Sequence, residues 1–439
     1  MEWLGQVPEN LEVTALKRVV NPERKITYGI VQAGPHVPDG IPYIRPADMT
    51  DEHGIENADD VMRTSPEIAS GYSRSTIRTG DVVCSIGPSF GKAMITPEWL
   101  DGANLTQGTA RIAVQQQHDA RFVFWTLRSP FSIAQWESSV GGATFRALNL
   151  APLAETTIVI PALVEQKCIA AFLDQETAKI DALVAEQERL MALLKEKRQA
   201  VISHAVTKGL NPKAALKPSG IEWLGDVPAH WEVLSLRRCC SSVETGGTPS
   251  TDPPSAYLEQ GFVWYTPGDF GDSLYLTTST RKISNEVVAS GEAKVFPPKS
   301  VLIVSIGATL GKIGFAVEAS SANQQINAVI PNEKIDGYFL AYSLLVKTEV
   351  MRFLSNASTI GIMNQEKTKD IWIALPPRQE QGEISAFLDT ETAMLDALTA
   401  EAQRAIDLLQ ERRTALISAA VTGQIDVRKF GATISSTST

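Results

Sequence analysis

Covalent cross-links and metal sites are largely absent from this chain. Four cysteines in 439 residues, Cys84, Cys168, Cys239 and Cys240, show neither Cys-x-x-Cys spacing nor a ladder. That excludes a disulfide scaffold and points to a reducing, cytoplasmic compartment. Adjacent Cys239 and Cys240 read more simply as two partly buried thiols than as a redox pair. The five histidines, at 36, 53, 118, 204 and 230, have no ligand spacing with cysteine, so no zinc site is expected. No apolar run approaches the ~18 residues needed to cross a membrane, and the polar start MEWLGQVPEN does not read as a secretory signal. Excess positive charge is missing too. The formal net charge is −10, and residues 1–161 carry 13 basic and 18 acidic side chains. Blanket electrostatic binding of a polyanion is therefore excluded; nucleic acid would have to be met through local patches or a basic partner.

Catalytic signatures fail on context. Gly87–Lys92 (GPSFGK) and Gly307–Lys312 (GATLGK) are one residue short of a P-loop, and Ala93 and Ile313 stand where Ser or Thr would hold magnesium, so each reads as a strand-to-strand turn. Asp269-Phe270-Gly271 lacks the other kinase motifs. Asp252-Pro253-Pro254-Ser255 is near the DPP-aromatic motif of adenine methyltransferases but has Ser in fourth place and no cofactor loop before it. No Gly-x-Ser-x-Gly elbow occurs. The expectation is a non-enzyme with no catalytic residue and no metal.

Internal repetition is what the chain does have. Sliding it by 215 positions lays Glu165–Leu210 on Glu380–Ile425 with 26 of 46 residues identical. Both copies are free of Pro, nearly free of Gly, and rich in Ala, Leu, Glu and Gln, which predicts two long helices. The repeat extends outward: Glu2–Pro8 (EWLGQVP) returns as Glu222–Pro228 (EWLGDVP), and Asp81–Lys92 answers Ser300–Lys312. The layout is then a globular half (1–161), a long helix (162–208), a linker (209–220), a second half (221–376), a second long helix (377–422) and a polar tail (423–439). Short β-rich runs such as Val82–Ile86, Arg111–Val114, Ser300–Ile306 and Ala328–Ile330, with helical patches near Arg121–Trp136 and Gly337–Leu354, make each half a mixed α/β globule. The fold class expected is α+β, two mixed α/β domains in pseudo-twofold arrangement, joined and separated by two long helices in an antiparallel coiled coil.

Heptads define the expected seam. With Leu173 at position a, the seam takes Leu173, Glu176, Ile180, Leu183, Leu190, Leu194 and Lys197 in the first helix, and Leu388, Glu391, Leu395, Leu398, Leu409 and Arg412 in the second. An antiparallel pairing lets Glu176 meet Arg412 while Lys197 meets Glu391; both pairs of residue numbers total 588, so one register serves both. A helix of ~45 residues is ~68 Å long, a spacer between two globules.

The strings Pro161–Ala178 and Pro376–Ala393, both P-x-x-x-E-Q-x-x-I-x-x-F-L-D-x-E-T-A, together with W-L-G-x-V-P, S-I-G-x-x-x-G-K and Thr245–Ser250 (TGGTPS), resemble the specificity subunits of type I restriction–modification systems over essentially the whole chain. The resemblance implies two target-recognition domains, each reading one half of a split site on double-stranded DNA. It also implies two methyltransferase subunits, which carry S-adenosylmethionine and methylate adenine N6, and a motor-nuclease subunit with ATP and magnesium. This chain itself would carry no cofactor. Thr245–Ser250 occurs only in the second half, Ile26–Val31 standing in its place in the first, so the halves are expected to read different half-sites. Candidate DNA contacts are Arg45, Arg74, Arg78 and Lys92 in the first half and Thr248, Arg281, Lys282 and Lys312 in the second. A coiled-coil adaptor carrying two protein-binding modules is the competing reading.

Overall fold

The computed structural model describes residues 7–9, 11–50, 54–55, 57–140, 146–249, 257–258, 261–271, 273–355 and 361–427. Trp3–Gly5, His53, Ser250, the Asp252–Ser255 string and most of the polar tail lie outside the described residues. The chain is α+β and divides into two compact units. Unit 1 comprises 1–188 with 403–439, and unit 2 comprises 189–402. Each long helix, Leu163–Lys208 and Arg378–Val421, thus contributes one stretch to each unit.

In unit 1 a four-stranded antiparallel sheet runs in the order Thr27–Tyr28, Thr109–Ile112, Val82–Ser85, Ala93–Ile95. A three-stranded sheet of Arg63–Thr64, Ile41–Ile44 and Asn104–Leu105 accompanies it. Val82–Ser85 and Thr109–Ile112 are buried at every position, so neither strand alternates between core and solvent, and both bury polar residues, Ser85, Thr109 and Arg111. Against them pack the helices Ala120–Leu127 and Pro130–Ser139, with Phe122, Trp125 and Trp136 in the core. A ribbon of Glu12–Ala15 and Thr157–Ile160, in register Glu12↔Ile160, closes the head beside the root of the long helix.

Unit 2 repeats the plan with a larger sheet. Cys240–Thr245, Ile326–Pro331, Ser300–Val304, Ile313–Ala316 and Tyr275–Leu276 lie in that order. The ribbon Glu232–Ser235 with Trp372–Leu375 keeps the equivalent register, Glu232↔Leu375. The helices Gly337–Leu345 and Thr348–Ser355 stand where unit 1 has its helical pair.

Both P-loop-like strings are hairpin turns. They join Val82–Ser85 to Ala93–Ile95 and Ser300–Val304 to Ile313–Ala316. Gly91 and Gly311 take φ of +102° and +87°, and a Cβ there would also strike Ile133 at 2.8 Å and Thr348 at 2.9 Å. The glycine of each G-K pair serves the turn. In Thr245–Pro249, a Cβ on Gly246 would lie 2.2 Å from the Ala322 carbonyl oxygen; the missing side chain lets this strand end rest on a neighbouring backbone.

The family-like strings at the helix roots act as internal latches. Gln166 is buried; its amide accepts from the Asp119 N–H (2.8 Å) and donates to the Pro161 carbonyl (2.8 Å). Gln381, 215 positions on, accepts from the Asp336 N–H (2.7 Å) and donates to the Pro376 and Lys334 carbonyls (both 2.9 Å). Asp119 and Asp336 in turn cap the helices that begin at Ala120 and Gly337. About two turns further along, Asp174 accepts from Arg121 Nε (2.7 Å) and Trp125 Nε1 (2.8 Å). Its counterpart Asp389 accepts from the hydroxyls of Tyr275 (2.5 Å) and Tyr342 (2.7 Å). Burial, with the Asp389 carboxylate beside it, pushes the Tyr342 hydroxyl up to about 12.

The helix seam departs from the expected heptad. The buried or half-buried line is Leu173, Thr177, Ile180, Val184, Gln187, Met191, Leu194, Arg198 in the first helix, and Leu388, Thr392, Leu395, Thr399, Ala402, Ile406, Leu409, Arg413 in the second. Leu173, Ile180, Leu194, Leu388, Leu395 and Leu409 therefore sit on the seam as expected. Leu183 (52 % exposed), Leu190 (42 %) and Leu398 (41 %) do not, and Lys197 and Arg412 point to solvent. Glu176 and Glu391 are half-buried, and Glu176 bonds Lys179 on its own helix (2.6 Å). Both alternations of three and four residues contain Leu173; the real one steps to Thr177, not back to Ile169. Ile169 is buried for another reason, as part of the head's core.

Within each unit the two helix stretches run antiparallel and share one ion pair. In unit 1 Arg413 grips Asp181 (Nε–Oδ1 2.8 Å, Nη2–Oδ2 3.4 Å). In unit 2 Arg198 faces Asp396 at 3.2 Å. These are the same two repeat positions, 215 apart, and both pairs of residue numbers total 594 rather than the expected 588. The pairs Glu176–Arg412 and Lys197–Glu391 are not formed, because Arg412 and Lys197 lie one residue before the seam arginines Arg413 and Arg198.

Candidate nucleic-acid interface

Five cations from three separate stretches of unit 1 gather around one cleft of about 430 Å³: Arg24, Lys25, Arg74, Arg78 and Arg111. Arg111 sits in the strand Thr109–Ile112 and is only 4 % exposed. Its Nη1 donates to the carbonyls of Arg74 (2.7 Å) and Thr76 (2.8 Å), and its Nη2 to that of Lys25 (3.2 Å). Its Nε is buried without a hydrogen-bond partner. Burial, then the neighbouring Arg24 and Arg78, holds its pKa below the ordinary guanidinium value. Arg24 forks onto Asp81 (2.8 and 2.5 Å), whose Oδ2 also accepts the Arg78 N–H (2.7 Å). Lys25, Arg74 and Arg78 remain exposed at the rim, and their side-chain cations have no ion-pair partner among the described residues.

The other candidates of the first half are engaged. Arg45 is held by the Asp48 carboxylate through Nε (3.0 Å) and its own N–H (2.8 Å), which raises its pKa above the ordinary value. Lys92 Nζ donates to the Met49 carbonyl (2.7 Å).

In unit 2, Lys312 repeats that bond, to the Phe270 carbonyl (2.8 Å), while staying exposed. Thr248 is exposed and its hydroxyl is bonded to Gln324. Arg281 is exposed beside the strand that carries half-buried Lys282. One cleft of unit 2, about 390 Å³, takes Thr245, Ser305, Gln324, Asn327 and Asn364 among its lining, with Glu366 and no cation. Thr245 and Asn327 are locked together (2.8 Å), and Asn327 also donates to the Met363 carbonyl (2.7 Å). The two heads thus offer unlike surfaces, one basic and one built of amides and hydroxyls.

Arg111 and the amides were missed as site residues. An arginine inside a short β-rich run, followed by Ile112, Ala113 and Val114, was the available signal for Arg111; the amides carry none. Among the described residues no three His, Cys, Asp or Glu side chains gather into a metal-holding group, and no helix is long and apolar enough to cross a membrane.

Comparison with known proteins gives the arrangement its context. A family model described as type I restriction modification DNA specificity domain matches twice, at residues 25–191 and 228–407. Among curated relatives, the type I restriction enzyme EcoBI specificity subunit of Escherichia coli is 27% identical over 54% of this chain and 49% of its own length. The EcoDI specificity subunit of Escherichia coli is 21% identical over 69% of this chain and 70% of its own. The chain thus spans about half the length of the first of these relatives. The fold is shared with a solved chain described as "Structural basis underlying complex assembly and conformational transition of the type I R-M system" (20% identity, TM-score 0.75, 96% of this chain and 100% of that one). It is shared also with the HsdS subunit from Thermoanaerobacter tengcongensis (20%, TM-score 0.56, 96% and 98%). Two matched copies, each covering one head and the first part of the long helix after it, mean that this chain belongs to the type I restriction modification DNA specificity family.

Proposed function

We propose that this chain is the non-catalytic DNA-recognition subunit of a type I restriction–modification complex. Each head reads one half of a bipartite, asymmetric site on double-stranded DNA. The observation that carries this is the double match of the family model, one copy per head. The heads present unlike surfaces, as two halves that meet different half-sites would. Arg74 and Arg78 lead the DNA contacts of the first head; Thr248, Arg281, Lys282 and Lys312 remain the candidates of the second.

Chemistry belongs to partners. Two methyltransferase subunits dock along the long helices, whose exposed Leu183, Leu190, Phe387, Met394 and Leu398 offer apolar contact. They bind S-adenosylmethionine and methylate adenine N6, and a motor-nuclease subunit using ATP and magnesium cleaves. The complex works in the cytoplasm, where its DNA lies.

The test is a head exchange. Residues 235–370 are replaced by the matching region of a relative, the chain is expressed with its methyltransferase, and cellular DNA is sequenced for methylated adenine. One half of the methylated motif should change while the other stays. Both halves changing, or neither, would remove the two-head reading.

A further inference from the structure

The five-cation cleft of unit 1 is built rather than accidental, and its construction says what it holds. In a chain of net charge −10, residues 24, 25, 74, 78 and 111 bring five positive charges to one concavity, against Glu23 on its lining and Asp81 at its edge. Scattered surface cations are held by their own flexible stems. Here the backbone that carries them is fixed from inside. One buried guanidinium, Arg111, ties the carbonyls of Lys25, Arg74 and Thr76, joining the loop before Thr27–Tyr28 to the turn at Ser73–Ser75. Asp81 binds Arg24 and the Arg78 N–H, closing the ring from the other side.

Burying an arginine with one nitrogen unbonded leaves part of its desolvation penalty uncompensated. The equivalent strand position in unit 2 shows that the fold does not need it. Arg111 pairs across the sheet with Val83, and the matching pair in unit 2 is Ala328 with Leu302. Unit 1 therefore carries a destabilising group whose effect is to pre-position Lys25, Arg74 and Arg78.

We infer that this cleft binds a backbone phosphodiester of double-stranded DNA and sets the register of the first head without reading a base. The inference rests on the DNA-recognition reading above. Three exposed cations converging on a braced floor suit a diffuse anion with several acceptor oxygens, and such contacts position a protein on the duplex while carrying no sequence information. Arg111 is a positioning residue: it acts through the rim cations.

The experiment uses the full chain assembled with its methyltransferase subunits, and duplexes carrying either the methylated motif or a scrambled one. Replacing both Arg74 and Arg78 with Ala should weaken binding of the two duplexes by the same factor, on the order of ten-fold, and lower the log–log salt slope by about two. The methylated motif should not change. The paired Arg→Lys variant should keep affinity, slope and motif, because a phosphate accepts a point charge where a base edge needs the fork. Arg111→Met, with the fold checked by circular dichroism, should reproduce the loss at the rim. Unchanged affinity and slope in the Ala variant would overturn the proposal, as would an altered motif in either variant. If the wild-type complex itself failed to prefer its motif, the recognition reading would fall and the proposal with it.

Discussion

The ion pair between Arg413 and Asp181 can be weighed by a double-mutant cycle. It is bidentate, and the Arg413 and Asp181 side chains are only 18% and 26% exposed. At an effective dielectric near 20 the bare attraction of unit charges about 4 Å apart is about 4 kcal/mol, and solvent screening of two partly exposed groups cuts that severely. A coupling of about 1.5 kcal/mol is expected. Arg413 also lies 6.0 Å from the Trp125 ring, so Arg413→Ala loses that contact too. The cycle Asp181→Ala, Arg413→Ala and both together cancels it. For a unit of about 225 residues (188 plus 37), the coupling corresponds to roughly 3–6 °C in Tm. Thermal unfolding followed by circular dichroism at low and high salt reads it out. Strictly additive losses would refute contact between these residues. The matching pair in unit 2 should couple less, about 0.5 kcal/mol, since Asp396 is 59% exposed. Glu176→Lys with Arg412→Glu should be additive, because Arg412 faces solvent and Glu176 is bonded within its own helix.

Two further outcomes follow from buried polar groups. Gln381→Glu turns the atom that donates to two carbonyls into an acceptor and should destabilise the protein by about 2–4 kcal/mol in urea unfolding; a change below about 0.5 kcal/mol would mean the latch is not formed. Lys347 is buried, and burial lowers its pKa from 10.5 to about 8. Its unfolded form binds a proton more readily, so stability should be flat below pH 8 and rise between pH 8 and 10.5, by on the order of 3 kcal/mol. Lys347→Met should be the more stable protein at pH 7 and should lose that rise. An unchanged pH profile in the variant would remove Lys347 from this account.

Long-range order was legible in the sequence because repetition is insensitive to local detail. Two heads, two long helices and an α+β plan follow from repeats at offsets of 215 residues in the helices and 220 in the heads, and the turn reading of both G-K strings holds in the hairpins. The seam was half legible. Leucine at 183, 190 and 398 made the wrong heptad look apolar, while Thr177 and Arg198 made the right one look polar; hydrophobicity alone cannot separate two alternations that share Leu173. Side-chain pairing was not legible at all. Lys92 and Lys312 look like free cations in sequence, yet each is bonded to a backbone carbonyl more than forty residues away. Arg24, Arg78 and Arg111 come together only through strand pairing.

The strings that are most alike in the two repeats serve attachment. Gln166 and Gln381 fasten each helix root to its head, and Asp174 and Asp389 do so again about two turns on. Yet the donors to that aspartate differ completely, Arg121 and Trp125 in one unit and Tyr275 and Tyr342 in the other. A constant helix carboxylate therefore accepts whichever donors a head supplies. Such a joint lets heads diverge, or be exchanged, without rewriting the helix, and it limits which exchanges fold. A graft across residues 235–370 carries away both Tyr275 and Tyr342. If the incoming head places no donor at either position, Asp389 is left half-buried and unbonded, at a cost of about 1–3 kcal/mol. Recognition heads should accordingly be portable between chains as units that include their own donors, and a graft that fails for lack of them should be rescued by restoring a single tyrosine at position 342.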